Sequence, residues 1–131
     1  MQEVYEFLKA AEYYFLATVE GDQPRVRPFG TYVVFEDKLY IQTGKSKEVA
    51  KQMAANPKIE ICAFKDDVFL RVAAEVVCDE RAEAQQEVLD QHPFLRDLGY
   101  DVGSEDMHVL YLKNATATYA TEEGVQKVVE F

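Results

Sequence analysis

Tryptophan is absent from this chain, and cysteine and histidine are scarce, with two of each among 131 residues. The two cysteines, Cys62 and Cys78, have no metal-ligand spacing, which excludes a zinc ribbon and a disulfide framework. Both are expected to be reduced and packed in separate strands. Basic residues are few: 14 Lys and Arg face 24 Asp and Glu, a net charge of −10. That balance excludes general nucleic-acid binding, which needs a broad basic surface to neutralise phosphates. No apolar run approaches the ~20 residues that span a bilayer. The opening stretch, MQEVYEFLKAAEYYFLATVE, carries acids among its apolar residues and lacks a basic leader, so it does not read as a signal peptide. A cytoplasmic location is the expectation. Neither a Ser-His-Asp pattern nor a GxGxxG fingerprint is present, so hydrolase and dinucleotide-fold readings lack their residues.

What is present suits one globular domain spanning residues 1–131. Hydrophobic residues make up 48%, with eight Tyr and eight Phe, enough for a single core. Val4, Tyr5, Leu8 and Ala11 fall at helical spacing near the start. Tyr13 to Val19 reads as a strand, Pro24 to Phe35 as a second and Leu39 to Thr43 as a third. Pro28 cannot donate a ladder bond and marks an edge, a bulge or a break. A helix from about Lys47 to Ala55 stops at Asn56-Pro57. Ile59 to Phe64 and Val68 to Val77 are strands, and Asp79 is placed to cap a helix running to about Gln91. Pro93 ends that helix, and Phe94 to Leu98 can add a turn. An acidic loop, Asp101 to Asp106, precedes a last long strand, Met107 to Tyr119. The tail from Thr121 to Phe131 has no clear pattern. Roughly six strands at hairpin spacing, with helices between them, predict a mainly β domain: a small antiparallel barrel with peripheral helices.

The segment Gln23 to Lys58 stands apart electrostatically. It holds seven Lys or Arg against three Asp or Glu, so about +4, and the rest of the chain sums to −14. A basic island in an acidic protein points to an anion. Ser46 reads as the helix N-cap, with Lys45 and Lys47 beside it at the positive end of the macrodipole, where cations are disfavoured. A bound phosphate removes that conflict, accepting bonds from backbone amides, Thr43, Ser46 and the lysines. Arg25 and Arg27 lie two apart in a strand and share a face.

These residues also carry a family likeness. YFLATVEGDQPRVRPFG, then LYIQTGKSKEVAKQMAANPKIEICAF, then FLRVAAEVV with a helix after it resemble the pyridoxamine 5′-phosphate oxidase-like FMN-binding split barrels. The short, nitroimidazole-resistance-like bacterial members are the nearest in kind, and the likeness covers about Glu12 to Tyr119. It implies a six-stranded antiparallel split β-barrel, and a homodimer with FMN at the subunit interface. It further implies a phosphate site at Arg27, Thr43, Ser46 and Lys47, with Arg25 and Lys45 assisting. The backbone around Pro28, Phe29, Gly30 and Thr31 would lie along the isoalloxazine ring. The C-terminus, GVQKVVEF, lacks the Arg and Trp contacts of the true vitamin B6 oxidases, which turns the reading toward a flavin reductase for a small nitroaromatic or quinone-like acceptor. A non-catalytic flavin carrier or sensor uses the same site, and some split-barrel relatives bind haem instead.

The remaining candidates have plainer readings. His92, before Pro93, is expected at a solvent-facing helix end, and His108 as a hydrogen-bonded structural residue; either is the axial ligand in a haem reading. Arg71, mid-strand among apolar residues, is expected in a buried or interfacial salt bridge. Tyr13, Tyr14 and Tyr32 read as core or interface aromatics, with ring stacking as the functional alternative.

Overall fold

Pairs of acidic residues form the turns of two hairpins. Glu36-Asp37 and Asp66-Asp67 all have positive φ, between 50° and 64°, the twist that lets two strands turn back on each other within two residues. A computed structural model describes all 131 residues. In chain order the elements are α1 (Gln2–Ala11), β1 (Tyr14–Glu20), β2 (Gln23–Phe29), β3 (Val33–Phe35) and β4 (Lys38–Gly44). They continue with α2 (Glu48–Ala55), β5 (Lys58–Lys65), β6 (Val68–Cys78), α3 (Ala82–Gln91), α4 (Phe94–Asp97), β7 (Met107–Thr121) and β8 (Gly124–Glu130).

The strands form one antiparallel sheet in the order β2-β1-β5-β6-β7-β4-β3, with β8 also on β7. The sheet curls without closing, as in a split barrel. β7 has 15 residues and divides one edge between two partners: Met107 to Tyr111 pair with β4, and Thr116 to Thr121 with β8. On one face Leu16, Ile61, Leu70, Val72, Leu110 and Leu112 form the main core, closed by Val4 and Leu8 of α1 and Val49 and Met53 of α2. A second core packs Ala84, Val88 and Leu89 of α3 against Val33, Tyr40, Met107 and Val109. Burying each such Leu or Val contributes about 1.5–3 kcal/mol, which is what docks these short helices.

Several expectations need correction. There are eight strands rather than six, because Pro24 to Phe35 is two strands separated at Gly30 to Tyr32, and the tail forms β8. Pro28 bears out the edge reading rather than a break: it lies within β2, an edge strand that tolerates a missing donor. Neither expected cap caps its helix. Lys47 is the N-cap of α2 and Arg81 that of α3. Ser46 instead sits in a turn closed by the Lys47 amide donating to Gly44 O, 3.1 Å. Asp79 Oδ1 accepts from the Arg81 amide, 3.1 Å, and its carboxylate takes the Arg81 guanidinium. Arg71 is exposed on the outer face of β6 and leans on the Phe69 ring, so it needs no buried partner. Cys78 is exposed at the end of its strand rather than packed, and Cys62 is half-buried.

A candidate anion and ring-binding cavity

The break between β2 and β3 opens a cavity of about 720 Å³. Arg27, Thr43 and Lys47 stand on one side of it, and Tyr13, His92, Phe94 and Leu98 also line it. Its floor is the loop Gly30 to Tyr32, fixed from three directions. The Tyr14 hydroxyl donates to Thr31 O at 2.6 Å, and burial pushes that phenol's pKa well above its usual range. Thr31 Oγ1 donates to Gln42 O at 3.2 Å and accepts from the Gln42 amide at 3.0 Å. His92 Nε2 lies 3.2 Å from the Tyr32 nitrogen and 3.0 Å from its oxygen, tying the loop to the end of α3. A Cβ on Gly30 would meet the Tyr13 ring at 3.2 Å, so the bare backbone there leaves room beside an aromatic wall.

Arg27 carries the electrostatic argument. Its Nη1 donates to Leu16 O at 3.2 Å and to Thr18 Oγ1 at 2.7 Å, and its Nη2 donates to Gln52 Oε1 at 2.6 Å. All three acceptors are neutral. Burial, then the nearby Arg25 charge, push the guanidinium's pKa down, the signature of a cation lacking a counter-charge. Lys47 lines the same end and forms none of the seven ion pairs in the chain. Two cations and the buried Thr43 at the end of β4 are the donor set of a phosphate or carboxylate site.

Of the nine residues singled out from sequence, Arg27, Pro28, Phe29, Gly30, Thr43 and Lys47 line this one cavity. Arg25, Lys45 and Ser46 do not. Arg25 turns to Glu20, 2.9 Å, and Lys45 to Glu80, 3.1 Å. Ser46 gives its amide to Asp106 Oδ1 at 2.7 Å, and that bond lowers the carboxyl's pKa. The acidic loop thus serves an amide at the turn before α2 from sixty residues away. Gly44 makes room for it: a Cβ there would lie 2.6 Å from Asp106 Oδ2 and 2.7 Å from the Tyr100 hydroxyl.

The other side of the cavity was not legible as a site. His92 is buried rather than solvent-facing, because α3 and α4 fold back over the floor loop. Phe94, Leu98 and Tyr100 follow it, and Lys9 and Glu12 also line the cavity. Pro93 signals a corner with His92 and Phe94 on either side of it, and Tyr13 and Tyr32, read from sequence with ring stacking as an alternative, also line the cavity, whereas Tyr14 is buried in the core. His108 lies outside the cavity, with Nδ1 3.7 Å from Cys78 Sγ.

The cavity suits a phosphorylated flat ring. A cationic pocket at one side, a backbone floor and aromatic walls match a flavin mononucleotide in polarity, and the volume lies within the range of small-molecule sites. Haem fits less well, since one histidine is committed to the Tyr32 backbone and the other lies outside.

The sequence profile of the family described as Pyridoxamine 5'-phosphate oxidase matches residues 1–122. No curated protein matches the chain significantly. Among solved structures, a NimC/NimA family protein from Clostridium acetobutylicum is 37% identical, with a TM-score of 0.94 over 100% of this chain and 93% of that one. A pyridoxamine 5'-phosphate oxidase-related, FMN-binding protein from Nostoc punctiforme is 14% identical, with a TM-score of 0.61 over 99% of this chain and 95% of that one. HutZ, a haem storage protein from Vibrio cholerae, is 16% identical, with a TM-score of 0.68 over 98% and 92%. The last two likenesses concern the fold alone.

Proposed function

The chain belongs to the pyridoxamine 5′-phosphate oxidase family and groups with the NimC/NimA proteins; on that premise we propose that it is an FMN-binding oxidoreductase. The carrying observation is Arg27, a half-buried cation bonded only to neutral oxygens, facing the same cavity as the unpaired Lys47. In this reading Arg27, Thr43 and Lys47 hold the phosphate, and the backbone from Pro28 to Thr31 supports the ring. Bound flavin supplies hydride and electron transfer; the chain contributes binding, orientation and exclusion of water. The aromatic side, with His92, Phe94 and Leu98, favours a flat, apolar acceptor such as a nitroaromatic or quinone. Two unpaired thiols accord with a reducing, cytoplasmic setting.

We further propose a homodimer. Directly paired residues share a face of a sheet, so Phe15, Cys62, Arg71, Thr118 and Val128 form one row across the outside of the sheet. Phe15, Val26, Phe64 and Val128 of that face are more than half exposed. Arg71 and Glu60 are charges of opposite sign on it, able to pair reciprocally across a two-fold axis. The face runs up to Pro28, so a second copy seated there would wall the open side of the cavity.

The test is an absorption spectrum of purified protein after FMN is added and the excess removed, with mass measured by light scattering. Flavin bands travelling with a dimer, and bleaching by NAD(P)H that a nitroaromatic reverses, are the expected results. Bound flavin without turnover assigns a carrier or sensor, a Soret band assigns haem, and no retained chromophore removes the flavin reading.

A further inference from the structure

Arg27 is aimed by two residues that do not line the cavity, Thr18 of β1 and Gln52 of α2, both of them buried. Thr18 Oγ1 accepts from Arg27 Nη1 at 2.7 Å, and Gln52 Oε1 accepts from Nη2 at 2.6 Å. The Thr18 hydroxyl also donates to Gln52 Oε1 at 2.5 Å, so the three side chains close a ring. Gln52 Nε2 points the other way, to Glu20 Oε2 at 3.4 Å, and the amide thereby stands between Arg27 and that carboxylate. Glu20 itself pairs with Arg25. We infer that Gln52 is a specificity-determining positioning residue: with Thr18 it holds Arg27 by neutral oxygens, leaving the charge and one guanidinium edge for a phosphate, so that the cavity selects phosphorylated over unphosphorylated flavin. This rests on the phosphate-site reading given above.

Donor counting supports it. An arginine carries five N–H groups in a planar fork. Nη1 gives both of its own, to Leu16 O and Thr18 Oγ1, and Nη2 gives one to Gln52. The two that remain belong to Nε and Nη2, neighbours on one edge, the bidentate arrangement that fits two oxygens of a phosphate. Nε has no acceptor within the chain and is not sealed from solvent. A glutamine is also out of keeping with its helix face. Val49, Ala50 and Met53 share the buried side of α2, and an apolar residue at position 52 would dock it without burying an amide. A glutamate there would neutralise Arg27, as Asp79 and Glu36 neutralise Arg81. A neutral acceptor alone both orients the cation and leaves it uncompensated.

The experiment titrates FMN and riboflavin by fluorescence into Glu20→Gln protein and into the same protein carrying Gln52→Glu. The parent substitution removes the carboxylate that would repel the new one. Gln52→Glu should lower FMN affinity about tenfold or more and leave riboflavin affinity within about threefold. The melting temperature without flavin should be no lower than the parent's, since Arg27 gains a partner. If that variant does not fold, Gln52→Leu carries the same test: it removes the acceptor without adding charge, and FMN affinity alone should fall, by about threefold or more. A folded variant that prefers FMN as strongly as its parent overturns the inference. So does an equal loss of FMN and riboflavin, which marks a purely structural glutamine. A parent with no preference for FMN over riboflavin fails at an earlier point: it removes the phosphate-site reading, and this inference with it.

Discussion

One side of the cavity is cationic and the other aromatic, and different kinds of structure hold them. Arg27, Thr43 and Lys47 project from β2, from β4 and from the turn into α2, so backbone ladders or a helix start fix their origins. His92, Phe94 and Leu98 belong to the short helical stretch around α4, which is attached to the sheet mainly by side-chain packing and the His92–Tyr32 contact. Ladders resist displacement more than a single helical turn does. Under the proposed function, the rigid side suits a cofactor that stays and the adaptable side molecules that come and go.

Reversing charge at the rigid side gives the largest effect. Lys47→Glu removes one charge-assisted contact and adds repulsion, so FMN affinity should fall about 100-fold or more by fluorescence titration. The melting temperature without FMN should hardly move, because Lys47 is exposed. Leu98→Ala is the counterpart: FMN affinity within about threefold of wild type, but a raised KM for an aromatic acceptor. If both variants lose FMN alike, the division between the two sides collapses.

Gly44→Ala tests the place where the sides meet. Its Cβ would collide with Asp106 and with Tyr100, a cavity residue. The loop before β7 must then shift, at a cost of roughly 1–3 kcal/mol in urea unfolding. Ala substitutions at Gly99 or Gly103 meet no neighbouring atom and should leave that loop docked, although both glycines have positive φ and will show some backbone strain.

Acid should loosen the aromatic side first. Asp79 anchors Arg81, the N-cap of α3, and accepts from the Tyr40 hydroxyl at 2.7 Å. The Arg81 hydrogen bonds, opposed by burial and helped by Tyr40, hold the Asp79 pKa down to about 2, below its unfolded value. A depressed carboxyl stabilises the fold fully above the unfolded pKa of about 3.9, and the contribution is lost as pH falls through the folded value of about 2. Asp79→Asn should therefore lower stability by roughly 2 kcal/mol at pH 7, with the difference from wild type closing only below about pH 2. Denaturation at both pH values, with a fluorescent reporter on α4, checks it.

The smallest effect is expected at Arg25. It lies two residues from Arg27 in the same strand, yet pairs with Glu20 in solvent. Arg25→Gln should change FMN affinity less than about threefold. A loss as large as that of Lys47→Glu would mean that both arginines serve the anion.

These two arginines show what could be read before folding. Alternation put both on one face of β2, and the Gly-Lys-Ser turn singled out Lys47, which lines the cavity. Arg25 was diverted to Glu20 across its own hairpin, whereas Lys45 went to Glu80 and the Ser46 amide to Asp106, partners supplied by distant segments. Local spacing carries no record of such competition. His92 makes the same point: its burial depends on α3 and α4 closing over a loop sixty residues earlier. Most hairpins were legible because their turns are local; β8 also closes a two-residue hairpin on the end of β7, but its exposed, polar residues show too little alternation to announce a strand.

That division of β7 also governs the order of events in folding. The hairpins β1–β2, β3–β4 and β5–β6 close loops of a few residues and can form within microseconds. Pairing β4 with β7 joins residues such as Thr43 and His108, and it must wait for a much longer loop to close. The wall between Thr43 and Tyr100 exists only after that closure. The cavity is therefore a late product of folding, and a ligand that fills it acts on the native state without hastening the early hairpins.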